Sequence, residues 1–316
     1  MPEWLIERGI GETRCALVEG GEIVEARIEV EGATHAGSVI AAWLVTARAR
    51  NAIAKDDVGV EYLLPRGADG ATEGATLTIE VMREAIPGAQ PWKRPLARLT
   101  DAPAAEASSL SGRELTIPAL VDQLGALGWN DLFEQARSGI VAFAGGELRM
   151  SPTPAMTLID VDGHLPADEL AVRGAAEAAK AIRRLDIGGS IGIDLPTVGR
   201  KAVRQAAADA IDSILPQPFE RTAVNGFGFV QIVRPRRRAS LVELAQDRAA
   251  FEARALVRRA GFEQPGPARL VAHPAVAAVL EAYPDWLERL SRQVGGAVGL
   301  RSNPALPMSG AYVEPA

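Results

Sequence analysis

The amino-acid sequence predicts a multi-part α/β (α+β) protein: a parallel-strand βαβ unit, a small β-barrel and a mainly helical C-terminal domain. Three observations carry that expectation. The apolar runs AMTLIDVDG and GGSIGIDLPT flank the Ala-rich amphipathic stretch ADELAVRGAAEAAKAIRRLD, and VGRKAVRQAAADAIDSILP follows with the same helical spacing. Strand, helix, strand in that order places both strands parallel in one sheet with a right-handed crossover. Between about residues 36 and 100, short apolar bursts (SVIAAWLV, VEYLLP, TLTIEVM) separated by Gly, Asp and Pro read as a barrel or meander. From about Ala239 the pattern is helical, through LVELAQDRAAFEARALVRRAG and HPAVAAVLEAYPDWLERLSRQVG, with one short strand, AVGLRS.

In chain order, CALVEG and EIVEARIEV are two strands joined by Gly20-Gly21, because Gly-Gly between β-branched runs signals a hairpin. After the barrel segment, APAAEASSLSG (about 102–112) is small and polar and reads as a linker. TIPALVDQLGALGWNDLFEQARSG then places Leu120, Val121, Leu124, Leu127, Leu132 and Phe133 at helical spacing. IVAFAGGELRMSP is a strand-turn-strand on Gly145-Gly146, the βαβα passage follows, and FERTAVNGFGFVQIVRP adds two strands around Asn225-Gly226. These breaks divide the chain into 1–35, 36–100, 101–150, 151–240 and 241–316, with no internal repeat.

At roughly 100–200 residues per domain, the length implies about two domains or one elaborated one. The 47% hydrophobic and 23% charged fractions are those of a globular chain rather than a disordered or fibrous one. The single cysteine, Cys15, excludes an intramolecular disulfide and a CxxC zinc site, so a reducing compartment is expected. In its apolar strand it reads as a small buried hydrophobe. The first residues carry acids where a signal peptide needs a basic head, and no segment reaches ~18 uninterrupted apolar residues. A cytoplasmic protein without a membrane span is therefore expected. A net charge of −6 and a pI near 5.3 argue on average against a simple polyanion binder. The average hides a contrast: residues 1–35 carry 3 basic and 8 acidic groups, whereas 199–238 carry 8 Lys/Arg and 3 acids.

Asp160 lies inside the apolar run TLIDV and Asp194 inside SIGIDL. A buried ionised carboxylate without a partner costs several kcal/mol, so such residues are paired, protonated or metal-bound. Ligands of open α/β sheets sit beyond the carboxyl ends of the strands, where two carboxylates from neighbouring strands make an oxygen-rich site suited to Mg2+ or Mn2+. The alternative is that each Asp caps the following turn. Asp162 either projects beside Asp160 as a further ligand or starts the turn DVDGHLP. His164 is either a ligand or proton shuttle for that site or a solvated turn residue, and His273 reads as helix-entry chemistry. Gly188-Gly189 precedes a strand and is no nucleotide loop. Arg200, Lys201, Arg204, Arg221, Arg234, Arg236, Arg237 and Arg238 read either as a phosphate-backbone track beside the carboxylates or as a solvated surface. In the barrel segment, Arg48, Arg50, Lys55, Arg66, Lys93 and Arg94 accompany Trp43, Tyr62 and Trp92, an interleaving suited to stacking on single-stranded bases. The alternative for the tryptophans is a place in the core.

Read in order, ELRMSPTPAMTLIDVDG, RLDIGGSIGIDLPTV and NGFGFVQIVRPR resemble three motifs of the bacterial RNase E/G family of metal-dependent endoribonucleases. IGETRCALVEGGEIVEARIE, LFEQARSG with the following Gly-Gly hairpin, and HPAVAAVLE…LRSNPAL extend the resemblance towards both ends, over most of the chain. The resemblance implies an RNase H-like region that begins in 1–35 and takes in 101–150, an OB-fold RNA-binding insert over about 36–100, and single-stranded RNA as substrate. Asp160 and Asp194 match the two magnesium-binding aspartates, with Asp162 beside them, and Phe227 and Arg234 fall on the family's Phe-Gly and arginine positions. The implied RNA-binding set is Arg200, Lys201, Arg221, Phe227, Arg234, Arg236, Tyr62, Lys93 and Arg94. The implied reaction is hydrolysis by a Mg2+-activated water that leaves a 5′-phosphate on the downstream product.

The departures are specific. Asp162 stands where the family has an active-site Asn, and Gly226 where it has an arginine, unless Arg221 takes over that contact. The Cys-Pro-x-Cys zinc-link that joins subunits is absent, so any homo-oligomer forms without zinc. The segment between the insert and the catalytic unit is short, which removes the family's 5′-monophosphate sensor, and the insert has few aromatics. A catalytically weak or inactive RNA-binding paralogue acting in binding or assembly is the alternative expectation, and a small-molecule enzyme on the same βαβ unit is a more distant one.

Overall fold

The computed structural model describes residues 1–87, 93–107, 110–117, 121–263 and 265–316. Trp92 of the barrel segment, Ser108 and Ser109 of the linker stretch, and Leu120 of the first helical stretch lie outside the described residues.

β1 (Glu3–Arg8), β2 (Glu12–Glu19) and β3 (Glu22–Val30) form an antiparallel meander whose second turn is Gly20-Gly21. Cys15 is buried in β2. β4 (Val39–Thr46), β5 (Ala52–Lys55), β6 (Glu61–Leu64), β7 (Thr76–Arg83) and β8 (Leu96–Leu99) close a barrel in the order β4-β5-β6-β8-β7. Ala42, Leu44, Ala54, Tyr62, Leu64 and Ile79 are among the side chains that fill it, and closure removes exposed strand edges. The apolar bursts marked β4, β6 and β7 but not β5 and β8. A four-residue strand whose inward residues are alanines carries little hydrophobic alternation.

β9 (Arg113–Leu115) pairs parallel with β1, giving a sheet ordered β3-β2-β1-β9. The helical stretch that follows is two helices, α1 (Gln123–Ala126) and α2 (Trp129–Ser138). Asp122 caps α1 by accepting the Gly125 N–H at 2.7 Å. β10 (Ile140–Phe143), β11 (Gly146–Pro152), β12 (Thr157–Gly163), α3 (Ala167–Arg184), β13 (Gly189–Asp194), α4 (Lys201–Ile214), β14 (Glu220–Arg221) and β15 (Phe229–Arg234) build a six-stranded mixed sheet ordered β10-β11-β12-β13-β15-β14. β12 and β13 are parallel, as the strand-helix-strand order requires. α3 buries an alanine-rich stripe including Ala171, Ala175, Ala178 and Ile182, and its Gly174 lies against Val161 of β12. That small-residue stripe lets the helix approach the sheet closely.

α5 (Leu241–Leu244), α6 (Arg248–Phe262), β16 (Ala268–Ala272), α7 (Pro274–Ala282), α8 (Pro284–Val294), β17 (Val298–Ser302), a 3-10 turn at Met308–Gly310 and β18 (Tyr312–Pro315) complete the chain. The tail is therefore helical around a three-stranded sheet ordered β17-β16-β18, of which only β17 was expected. His273 caps α7, its Nδ1 accepting the Ala275 N–H at 3.1 Å. The stretch HPAV…RQVG divides at Tyr283-Pro284, where proline has no N–H to continue a helix.

The chain forms two units, one of Met1–Glu31, Ser111–Ser138 and Leu244–Ala316, the other of Gly32–Leu110 and Gly139–Glu243. In the first, α6 meets β1 and β2 through buried ion pairs. Arg254 donates to Glu12 at 2.9 Å, and Arg258 bridges Glu7 at 2.6 Å and Asp122 at 2.8 Å. Burial alone would raise the Glu12 carboxyl, but the flanking Arg14 and Arg254 guanidiniums hold it below the usual range. Among the described residues, no helix is long and apolar enough to cross a membrane.

Candidate active site

The second unit turns one face of its six-stranded sheet to the helices and leaves the other open. Along β12, Thr157, Ile159 and Val161 are buried while Leu158, Asp160 and Asp162 alternate onto the open face. Along β13, Ile191 and Ile193 point to the helices, and Asp194, the last residue, points out. The parallel register pairs Asp160 with Asp194 and Ile159 with Ile193. In-register neighbours on adjacent strands sit about 4.8 Å apart along the sheet, so the two carboxylates lie side by side. β12 continues to Gly163, so Asp162 is a strand residue on the Asp160 face rather than the start of a turn.

These carboxylates are exposed, which corrects the premise that apolar surroundings bury them. The apolar neighbours of each Asp in sequence point to the opposite face. Desolvation against the sheet, and then the charges of Asp162 and Asp194, push the Asp160 carboxyl above the usual carboxylate range. The antiparallel partner of Asp160 on β11 is Arg149, and that of Asp162 is Glu147. Arg149 also pairs with Glu147. The sequence reading did not single out Arg149. Its signal is the period-two pattern of GELRMSP, in which Leu148 and Met150 are buried and Arg149 is exposed between them.

On the other flank, Phe229 stands opposite Asp194. The preceding loop is tied down by Asn225, whose side-chain oxygen accepts the N–H groups of Phe227 at 2.9 Å and Phe229 at 3.1 Å. Gly228 has φ +93°, and a Cβ there would collide with the Leu195 carbonyl, so the close approach of loop to β13 needs glycine. Thr197 adds a bond to the Phe227 carbonyl at 3.0 Å. The Phe227 ring, 81% exposed, stands on this braced loop beside the end of β13.

The expected basic track divides. Arg200 pairs with Asp168 at the start of α3, Lys201 is exposed on the first turn of α4, and Arg204 donates to the carbonyls of Val198 and Gly199. Arg221 binds Asp212 of α4 at 2.7 Å, and Arg234 donates to the Ile187 carbonyl at 2.8 Å near the end of α3. Both share the helix-covered face with Val230 and Ile232, away from the aspartates. Arg236 pairs with Glu243, and Arg238 lies 3.7 Å from Asp186. In the barrel, Tyr62 is fully buried rather than available for stacking, with its hydroxyl bonded to Asp56 at 2.9 Å and Thr34 at 3.0 Å. β6 alternates Tyr62 and Leu64 inward; burial, with the Asp56 carboxylate alongside, pushes the phenol up to about 12. Lys93 donates to the Pro154 carbonyl at 3.1 Å and Arg94 to Glu61 at 2.7 Å. Trp43 is exposed on the barrel wall, cross-strand from Lys55.

Asp160 and Asp194 fit a hard divalent cation by their donor chemistry, since Mg2+ uses one or two carboxylates and keeps several waters. Among the described residues, no group of three or more His, Cys, Asp or Glu converges closely enough to hold a metal. No family model matches the chain, and no curated protein matches it.

Proposed function

We propose that the open sheet face is the catalytic site of a divalent-cation-dependent endoribonuclease acting on single-stranded RNA. The in-register Asp160/Asp194 pair, with Asp162 on the same face, is the observation that carries this reading. Three motifs resembling the RNase E/G family, in the family's order, support it. In this reading the barrel is an OB-like RNA-binding insert, β1–β3 open an RNase H-like subdomain, and 241–316 is the small helical domain. The work is that of a cytoplasmic enzyme of RNA processing, and any pairing of subunits proceeds without zinc.

Asp160 and Asp194 would hold Mg2+ or Mn2+, which when bound supplies an activated water and positive charge at the attacked phosphate. Asp162 accepts a hydrogen bond from the attacking water and orients it. Arg149, exposed beside Asp160, donates to a non-bridging phosphate oxygen. Phe227 stacks on a base on the β15 side, and Lys201 adds positive charge to the backbone path. Arg221 and Arg234 act through the fold, by bracing α4 and the end of α3.

Incubating the protein with a single-stranded RNA and Mg2+, beside Asp160→Asn and Asp194→Asn, tests the reading. Loss of cleavage by about a hundredfold or more in each variant is expected. Cleavage that survives either substitution overturns it. A second reading, an RNA-binding paralogue without turnover, is favoured by Asp162 and Gly226, which stand where the resembled family has an active-site Asn and an arginine. It predicts salt-dependent binding and no cleavage with any divalent ion.

A further inference from the structure

Three cations meet at the end of the six-stranded sheet that lies away from the aspartates. Arg83 ends β7 opposite Leu96, so residues 93–95, which lead into β8, run beside it. Its Nη2 donates to the Arg94 carbonyl at 2.9 Å. The neighbouring Lys93 reaches the turn between β11 and β12, where its Nζ donates to the Pro154 carbonyl at 3.1 Å. The Glu84 N–H donates to the Arg237 carbonyl at 2.8 Å, which seats the end of β7 on the segment that follows β15. Arg236 of that segment passes the start of β13, its Cδ 3.1 Å from the place a Cβ on Gly189 would take.

The charges at this junction do not balance. Arg236 pairs with Glu243, whose other carboxylate oxygen accepts the Ser240 N–H at 2.9 Å and the Ser240 hydroxyl at 2.8 Å. Glu61 and Glu84, acids of the neighbouring barrel segments, are engaged elsewhere: Glu61 takes Arg94 at 2.7 Å, and Glu84 accepts the Ala36 N–H at 3.2 Å and pairs with His35. Arg83 and Lys93 bond to backbone carbonyls, and among the described residues no carboxylate pairs with either. Three cations facing the Glu243 carboxylate leave a local charge of +2. The Nε atoms of Arg83 and Arg236 are buried and have no hydrogen-bond partner among the described residues. All three side chains are half-buried, where like charges repel with less screening than in water. Burial, and then the Arg236 and Arg83 guanidiniums, hold the Lys93 ammonium below the usual lysine range, and burial with Arg236 lowers Arg83; Glu243 is the opposing charge in both. An anion with two negative charges removes that repulsion and gives the guanidinium and ammonium donors oxygen acceptors. A dianionic phosphate has that charge, and its oxygens match the guanidinium fork.

We propose that Arg83, Lys93 and Arg236 form an oxyanion site for a phosphate dianion, either the free ion or the phosphate of a mononucleotide. Gly189 pairs with Arg234, and Asp194 ends the same strand, so at about 3.3 Å per residue the site lies roughly 16 Å from the aspartates. It needs neither those carboxylates nor turnover, so the endoribonuclease reading stands or falls separately. The test is calorimetric titration of the full chain with inorganic phosphate, with uridine 5′-monophosphate and with uridine. Phosphate is expected to bind at one site, and Lys93→Gln and Arg83→Gln are each expected to weaken it by about tenfold. Arg98→Gln, which breaks the exposed pair with Glu80 on the barrel wall, is expected to leave it unchanged. Urea denaturation checks that each variant is folded, and Lys93→Gln, on an irregular segment between β7 and β8, decides alone where Arg83→Gln is not. Equal affinities for phosphate and the nucleotide assign the site to the free ion; tighter binding of the nucleotide, with uridine silent, assigns it to the mononucleotide. Absence of binding by both phosphate-bearing titrants at millimolar concentration, or binding that Lys93→Gln leaves unchanged, overturns the proposal.

Discussion

Gly228 and Tyr62 show how one residue's surroundings decide its part in the protein. Gly228 is a spacer between Asp194 and Phe227: its positive φ and its contact with the Leu195 carbonyl bring the aromatic loop against the end of β13. Gly228→Ala forces that carbonyl away, and we expect a loss of about 1–3 kcal/mol of stability, with weaker RNA binding, in paired urea-denaturation and anisotropy measurements. Tyr62 looks from its neighbours like a stacking platform, yet it is the buried hinge of a hydrogen-bonded group with Asp56 and Thr34. Tyr62→Phe should cost about 1–2 kcal/mol in chemical denaturation, because Asp56 loses a buried donor. RNA affinity should stay unchanged. Nothing within four residues of Tyr62 indicates its place, since inward and outward positions of β6 differ only by the strand's phase.

Among the elements, the β12–β13 pair carries the site, and its legibility was uneven. TLIDVDG and SIGID each alternate, so placing the aspartates opposite the buried isoleucines follows from strand geometry alone. The pairing of Asp160 with Asp194 does not, because register depends on how α3 returns the chain. The basic strip shows the same limit. Its eight cations read as one surface in sequence, but Arg221 has Asp212 of α4 and Arg234 has the carbonyls at the end of α3. Salt dependence of RNA binding separates the two kinds. Lys201→Glu should reduce the slope of log affinity against log salt by about 0.7 or more, the share of one phosphate contact on a single strand. Arg221→Gln should leave the slope unchanged and lower the melting temperature by loosening α4.

Over the whole molecule, the chain weaves two units from five segments, and the first buries charges whose partners lie in its last segment. β1 and β2 bury Glu7 and Glu12, and their partners Arg258 and Arg254 lie more than 240 residues later on α6. Removing one partner of such a buried pair leaves an uncompensated charge, so Glu12→Gln should cost about 3–5 kcal/mol. The sign of the pH dependence follows from the depressed carboxyls of Glu12 and Asp122. A folded pKa below the unfolded one adds stability that is complete above the unfolded value, about 4, and is lost as pH falls through the folded value. Urea unfolding followed from pH 7 down to about 3 should therefore show an acid loss for this unit, and Glu12→Gln should shrink it. A chain that stops before Leu244 should leave β1–β3 open to protease while residues 139–243 stay protected.

What the sequence by itself determined is the local grammar: hairpins at Gly-Gly, helices where apolar residues recur at helical spacing, and a βαβ crossover. Those depend on neighbours within one turn or one strand. Only the tertiary structure decided that Asp160 meets Asp194, that Arg149 stands beside them, that Tyr62 points inward, and which arginines hold the fold. Each of these depends on groups brought together from distant parts of the chain, and charge or aromatic character alone does not say which distant group will be near.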